Sequence, residues 1–159
     1  MFVTPGWRRR LLLLVVVGGV ALGVVSFALV VQGGPTSPGS GWVHAGSVAE
    51  LEHDAVVYVA QARAFVVDAS APLALYARSP HKGKPITHCE SSGWFVDRSH
   101  GSMFDRLGRY VLGPAPRGLD RFEVQVVDGE IWIDSTTLLI GPPRGEPTEE
   151  RSGPFCPTS

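Results

Sequence analysis

The sequence predicts an all-β fold, an antiparallel sandwich or small barrel, and three observations support this fold class. The chain contains 19 glycines and 13 prolines among 159 residues, a content that disfavours long helices and favours short strands joined by turns. Short runs rich in β-branched and aromatic residues alternate with turn residues. Between two such runs stand Asp128 and Gly129, a pair typical of a two-residue hairpin turn.

The individual elements follow from these runs. A short helix is predicted at Ser47–His53, ahead of the first strand. The predicted strands are Val56–Ala60, Ala64–Asp68, Leu73–Ala77, Gly93–Asp97, Arg109–Leu112, Phe122–Val127 and Glu130–Asp134. So many short strands within one domain length are typical of a sandwich or small barrel.

The N-terminal part of the chain predicts a membrane anchor. Residues 11–31 contain no charged side chain and follow an arginine triplet at residues 8–10. A helix of that length spans about 31 Å, close to the hydrocarbon thickness of a bilayer. The arginines mark the cytoplasmic end, so we expect a cytoplasmic segment at 1–10, one transmembrane helix and an extracytoplasmic β domain. The alternative is a cleaved signal peptide, although the run is long for one.

Composition divides the remaining chain and excludes three classes of protein. Residues 32–41 read as a flexible linker, residues 42–140 as the β domain, and residues 141–159, rich in Pro, Gly and Glu, as an irregular tail. The net charge of −1 excludes the basic surface that nucleic-acid binding requires. The two cysteines are too few for a disulfide-dense scaffold or a four-cysteine metal site.

Three segments of the β domain carry a recognisable pattern. Residues 79–84 read Ser-Pro-His-Lys-Gly-Lys, residues 97–102 read Asp-Arg-Ser-His-Gly-Ser, and residues 113–116 read Gly-Pro-Ala-Pro. In this order they resemble the Rieske iron–sulfur family, whose loops read Cys-x-His-x-Gly-Cys, Cys-x-Cys-His-Gly-Ser and Gly-Pro-Ala-Pro. The matching framework positions are Gly83, Gly101, Ser102, Gly113, Pro114 and Pro116. The resemblance covers about residues 42–134, and the anchor and linker are similar to the quinol–cytochrome c reductase branch.

The resemblance implies a [2Fe–2S] cluster in which two cysteines hold one iron and two histidines hold the other. His81 and His100 stand at the histidine positions, but Ser79 and Asp97 stand at the cysteine positions. Hydroxyl and carboxylate oxygens are hard ligands, poorly matched to a cluster that soft thiolates hold. We therefore expect no cofactor, with a [2Fe–2S] cluster only if the family's activity survives.

Three functional interpretations remain open. The first is a membrane-anchored structural or accessory subunit of a quinol–cytochrome electron-transfer complex, not catalytic alone. The second is an electron-transfer subunit of such an oxidoreductase, with a cluster on Ser79, His81, Asp97 and His100. The third is a mononuclear metal site, because two histidines and Asp97 are the residue types of a two-His-one-carboxylate triad. In the family, however, the histidine pair faces away from the cysteine positions.

Cys89 and Cys156 are the only cysteines of the chain. The extracytoplasmic side is oxidising, so we predict a disulfide that holds the C-terminal tail to the loop region. The alternative is that Cys89 binds a metal together with the two histidines.

Overall fold

The computed structural model describes residues 34, 36–145, 153, 154 and 156. The β domain falls within the unit Ser37–Ser159. Its helix, α1, spans Val48–Asp54. The strands are β1 Trp42–Ser47, β2 Val56–Val59, β3 Ala64–Val67, β4 Leu73–Tyr76, β5 Thr87–Cys89, β6 Trp94–Asp97, β7 Ser102–Phe104, β8 Tyr110–Leu112, β9 Arg121–Val127 and β10 Glu130–Leu139.

The predicted anchor at residues 11–31 and the segment before it lie outside the described residues. Within the described part of the chain, no helix is long and apolar enough to cross a bilayer.

The strands form two antiparallel sheets, which confirms the predicted all-β fold. The larger sheet has the order β1-β10-β9-β4-β3-β2, and the smaller sheet has the order β5-β6-β7-β8. The predicted turn at Asp128 and Gly129 joins β9 to β10, and both residues have positive φ, 54° and 81°. Positive φ at both central positions is what a type I′ hairpin turn requires.

Three strands were not predicted. β5 and β7 are three-residue strands of mixed polar and apolar residues, too short for alternation to be visible. β1 pairs with β10, a long-range contact that no local pattern indicates. β10 also runs beyond its predicted end to Leu139.

The predicted short helix is confirmed, and α1 begins one residue later than expected because Ser47 is its N-cap. The Ser47 hydroxyl accepts from the Glu50 backbone N–H (3.2 Å), and the Glu50 carboxylate accepts from the Ser47 N–H (2.8 Å). This reciprocal pair is a capping box. Its hydrogen bonds lower the pKa of Glu50 below the usual value.

The core has two parts because β3 is buried on both faces. On one side of β3, a first cluster packs against α1 and the β9–β10 hairpin. The buried residues of this cluster include Leu51, Val66, Ala74, Ile131 and Ile133. The opposite face lies against the smaller sheet; its buried members include Phe65, Leu75, Phe95, Phe104 and Leu119. The second cluster therefore joins the two sheets and supports the loops that follow β4, β6 and β8.

The predicted Cys89–Cys156 disulfide is confirmed, across a sequence separation of 67 residues. The Ser91 hydroxyl also donates to the Pro154 carbonyl at 2.8 Å. The tail is thus held to the β5–β6 turn. The alternative role of Cys89 as a metal ligand is wrong, because its sulfur is bonded to Cys156.

Candidate functional site

The three motif segments lie next to one another at the end of the smaller sheet where β5 and β7 begin and β6 and β8 end. The first loop, residues 79–84, connects β4 to β5. It is closed by a hydrogen bond from the Ser79 N–H to the Lys84 carbonyl and another from the Gly83 N–H to the Ser79 carbonyl, each 2.8 Å. Gly83 has a φ of 64°, a left-handed conformation that glycine adopts readily. His81 lies at the turn of this loop.

The second loop, residues 98–101, connects β6 to β7. Asp97 and Ser102 face each other in the β6–β7 ladder, and the Gly101 N–H donates to the Asp97 carbonyl at 2.8 Å. This tight connection places His100 at the end of the sheet, next to the first loop.

The third loop, residues 113–116, lies directly against the second. A Cβ atom on Gly113 would lie 2.5 Å from Ser102 Cα and 2.6 Å from the Gly101 carbonyl oxygen, so only glycine fits. The buried Ser102 hydroxyl accepts from the Ala115 N–H at 3.1 Å. Ser102 and Gly113 thus hold the second and third loops together.

Two residues that the sequence did not indicate support the third loop from outside. The Tyr110 hydroxyl donates to the Gly113 carbonyl at 2.8 Å. Arg144 donates from Nε to the Ala115 carbonyl at 2.9 Å, and its guanidinium lies 4.3 Å from the centre of the Tyr110 ring. Arg144 comes from the segment expected to be irregular, so no sequence signal pointed to it.

The two loop histidines are brought together. The ring centres of His81 and His100 are 5.0 Å apart and nearly perpendicular, at 77°. Both side chains are half-buried, and that of His100 is 23% exposed. An edge-to-face contact between rings at this distance stabilises the pair modestly, and part of the His100 side chain stays accessible.

Asp97 is fully buried and makes its contacts within the second loop. Its Oδ1 accepts from the backbone N–H groups of Ser99 (3.0 Å) and His100 (3.1 Å). Its Oδ2 lies 3.3 Å from Nδ1 of His100. A buried carboxylate requires such donors because desolvation of an unpaired charge is costly. Asp97 therefore orients the His100 ring through its contact with Nδ1.

Ser79 is also buried, at 2% exposure. Its hydroxyl accepts from the His81 backbone N–H at 3.4 Å. The two residues at the family's cysteine positions thus perform the same local task, since each side chain accepts hydrogen bonds from the loop that carries a histidine.

The donor set does not fit a [2Fe–2S] cluster. The two cysteine sulfurs of the chain are bonded to each other in the disulfide. The loops therefore offer a hydroxyl, a carboxylate and two imidazoles as possible ligands. The Asp97 carboxylate already accepts from the loop backbone and contacts His100. Among the described residues, no group of three or more His, Cys, Asp or Glu side chains could hold a metal ion.

Comparison of the chain with protein-family models and with curated proteins finds no match. Among solved structures, the chain is similar to the crystal structure of the cyanobacterial plasma membrane Rieske protein PetC3 from Synechocystis PCC 6803. The two share 25% sequence identity with a TM-score of 0.49, over 57% of this chain and 97% of that chain.

Proposed function

We propose that this chain is a Rieske-type β domain without a redox cluster, anchored by residues 11–31, that serves as an accessory subunit of a membrane quinol–cytochrome electron-transfer complex. The observation that carries the proposal is the combination of a retained loop framework with replaced ligands. The motif order and the close approach of Gly113 to Ser102 support a retained framework. Ser79 and Asp97 supply hydrogen bonds where the family supplies thiolates.

The hydrogen bonds replace part of what a cluster would do mechanically. A metal cluster cross-links the two loops that bind it. Here Asp97 stabilises the second loop from inside, Ser79 stabilises the first, and Ser102 joins the second loop to the third. The ordered tip, with its two imidazoles and the exposed Lys82, is suited to contact another subunit, as a docking element without electron transfer.

The location of the β domain outside the cytoplasm is part of the proposal. The Cys89–Cys156 disulfide supports it, because disulfides persist in oxidising compartments and are rare in the cytosol. The charge pattern of residues 8–31 supports an anchor with its N-terminus inside.

A divalent metal ion on His81 and His100 is a second candidate function. The contact of Asp97 with Nδ1 of His100 favours it, because metal-binding histidines commonly place their other ring nitrogen against a carboxylate. Asp97 would then be an orienting group and not a ligand, and water would complete the coordination.

Purification of the full-length chain from its native membrane tests the accessory role. With an affinity tag and a mild detergent, we expect the chain to co-purify with haem-containing subunits in a fixed ratio, measured by haem absorption and mass spectrometry. Recovery of the chain without haem proteins, under conditions that preserve the complex, would contradict the proposal.

The double variant His81→Ala/His100→Ala separates the interpretations. An accessory subunit without a redox centre should leave the electron-transfer rate of the intact membrane unchanged when the complex remains assembled. Loss of electron transfer with normal assembly would favour the redox subunit instead.

A titration with Zn²⁺ or Cu²⁺ by calorimetry tests the second candidate, which requires one ion per chain in the native protein and none in the double variant.

A further inference from the structure

One cavity among the described residues adjoins the first loop, because Arg78 lines it and donates to the Gly83 carbonyl. It is a groove of about 610 Å³ between β2 of the larger sheet and β5 of the smaller sheet. Its volume is within the range of small-molecule sites. The residues used below are Tyr58, Arg63, Phe65, Arg78, His88 and Glu90.

One side of the groove is an aromatic wall. The ring centres of Tyr58 and Phe65 are 5.0 Å apart, and Phe95 continues the row from Phe65 to His88 with spacings of 5.1 Å on each side. Phe65 is buried, whereas Tyr58 is 53% exposed. An exposed tyrosine next to a buried aromatic row offers an apolar face to a ligand.

Two arginines line the groove. The Ala77 N–H donates to the Arg63 carbonyl at 2.8 Å, so the backbones of Arg63 and Arg78 are close together where β3 begins and β4 ends. Neither guanidinium forms a salt bridge within the described part of the chain. Arg78 donates one hydrogen bond, to the Gly83 carbonyl at 3.3 Å, which leaves most of its donors for a partner.

His88 of β5 and Glu90, which follows β5, line the groove as well. The Nε2 of His88 is buried without a hydrogen-bond partner among the described residues. Burial lowers the pKa of His88, while the nearby charge of Glu90 opposes this change. Burial therefore disfavours the charged form of this imidazole, and the cationic side chains that line the groove are Arg63 and Arg78.

From this arrangement we propose that the groove binds a small organic carboxylate with an apolar body, its carboxylate on Arg63 and Arg78 and its body against Tyr58 and Phe65. Guanidinium groups match carboxylates in geometry and charge. A single carboxylate is favoured over a dicarboxylate, because Glu90 repels a second negative charge along β5. The proposal is independent of the cluster and of the accessory role.

The test uses the full-length chain in lipid nanodiscs with 2-naphthoate as the probe, and calorimetry or probe fluorescence as the readout. We expect saturable binding of one molecule per chain. The uncharged 2-naphthamide has the same ring and should bind at least tenfold more weakly, and acetate, which lacks the apolar body, should show no saturable binding. Empty nanodiscs provide the blank for partition into lipid.

Variants locate the site. Arg63→Gln and Arg78→Gln should each weaken binding by about tenfold or more, as expected for loss of a charge-assisted hydrogen bond. Glu90→Gln should tighten it, and Lys82→Gln, which removes an exposed charge outside the groove, should leave it unchanged. If Arg78→Gln does not fold, the binding affinities of Arg63→Gln and Glu90→Gln still test the proposal. Equal binding of naphthoate and naphthamide, absence of saturable binding, or equal affinity of the arginine variants and the Lys82 control would overturn the proposal.

Discussion

The buried carboxylate of Asp97 lies 3.3 Å from Nδ1 of His100, at a position where the resembled family carries a cysteine ligand. Asp97 thus contacts the histidine of its own loop and accepts two backbone hydrogen bonds beside it. The carboxylate at this position therefore supplies local hydrogen bonding to the loop that carries His100.

Asp97→Ala is expected to destabilise the domain by about 1–3 kcal/mol, because the N–H groups of Ser99 and His100 lose their acceptor. Urea unfolding of the full-length chain measures the change. Asp97→Asn is the matched control: it keeps an acceptor oxygen for the backbone but places an amide beside His100, so it should alter the His100 tautomer, read from ring ¹⁵N shifts, at a smaller cost in stability. An alanine variant as stable as the parent chain would show that these hydrogen bonds contribute little.

Gly113→Ala is expected to separate the third loop from the second. The new Cβ would lie 2.5 Å from Ser102 Cα, and the φ of Gly113 is +98°. Gly129→Ala provides the control, since Gly129 has a φ of +81° but nothing within 4 Å of an added Cβ. Both variants carry backbone strain, and Gly113→Ala should cost a further 1–3 kcal/mol or so from overpacking. Equal unfolding free energies for the two variants would contradict the close approach.

The disulfide is expected to contribute about 4 kcal/mol, the chain-entropy estimate for a closed loop of this length. Cys156→Ala removes it and leaves Cys89 in its buried position. The variant should unfold at lower urea concentration and should not respond to reductant, whereas reductant should bring the parent chain to the same midpoint. A parent chain with two titratable thiols after unfolding without reductant would contradict the pairing.

Stability is expected to fall as the pH decreases from about 7.5 to 5. Burial lowers the folded-state pKa of His88 below its usual 6.5, so the unfolded chain binds a proton first. The stability contributed by neutral His88 is present above the unfolded-state pKa and is lost as the pH falls toward the folded-state pKa. Glu50 and Asp134, whose pKa values are lowered by hydrogen bonds, act with the same sign at lower pH.

His88→Gln isolates that contribution. The variant should show a flatter dependence of unfolding free energy on pH between 7.5 and 5 than the parent chain. Parallel curves for the two proteins would mean that another group causes the change.

Sequence patterns predicted the parts of the fold that local chemistry determines. The Asp128-Gly129 turn requires positive φ at two positions, and Ser47 with Glu50 forms a helix start within four residues. β5 and β7 were missed because three-residue strands are fixed by their neighbours in the sheet. β1 depends on pairing with the distant β10.

The site was predictable in outline, not in its contacts. The resemblance placed His81 and His100 on neighbouring loops, and the structure brings their rings together. The contact of Asp97 with His100 and the support of the third loop by Arg144 depend on side-chain orientation and on a distant segment. Neither contact can be recognised from residue spacing or composition.

The absence of a [2Fe–2S] cluster is tested by the electron paramagnetic resonance spectrum of the dithionite-reduced full-length chain, with iron and acid-labile sulfide analysis of the same sample. The chain should be produced in a host that assembles iron–sulfur proteins and purified without oxygen. We expect no Rieske-type signal and no stoichiometric iron or sulfide. A Rieske-type signal with two irons and two sulfides per chain would contradict this expectation.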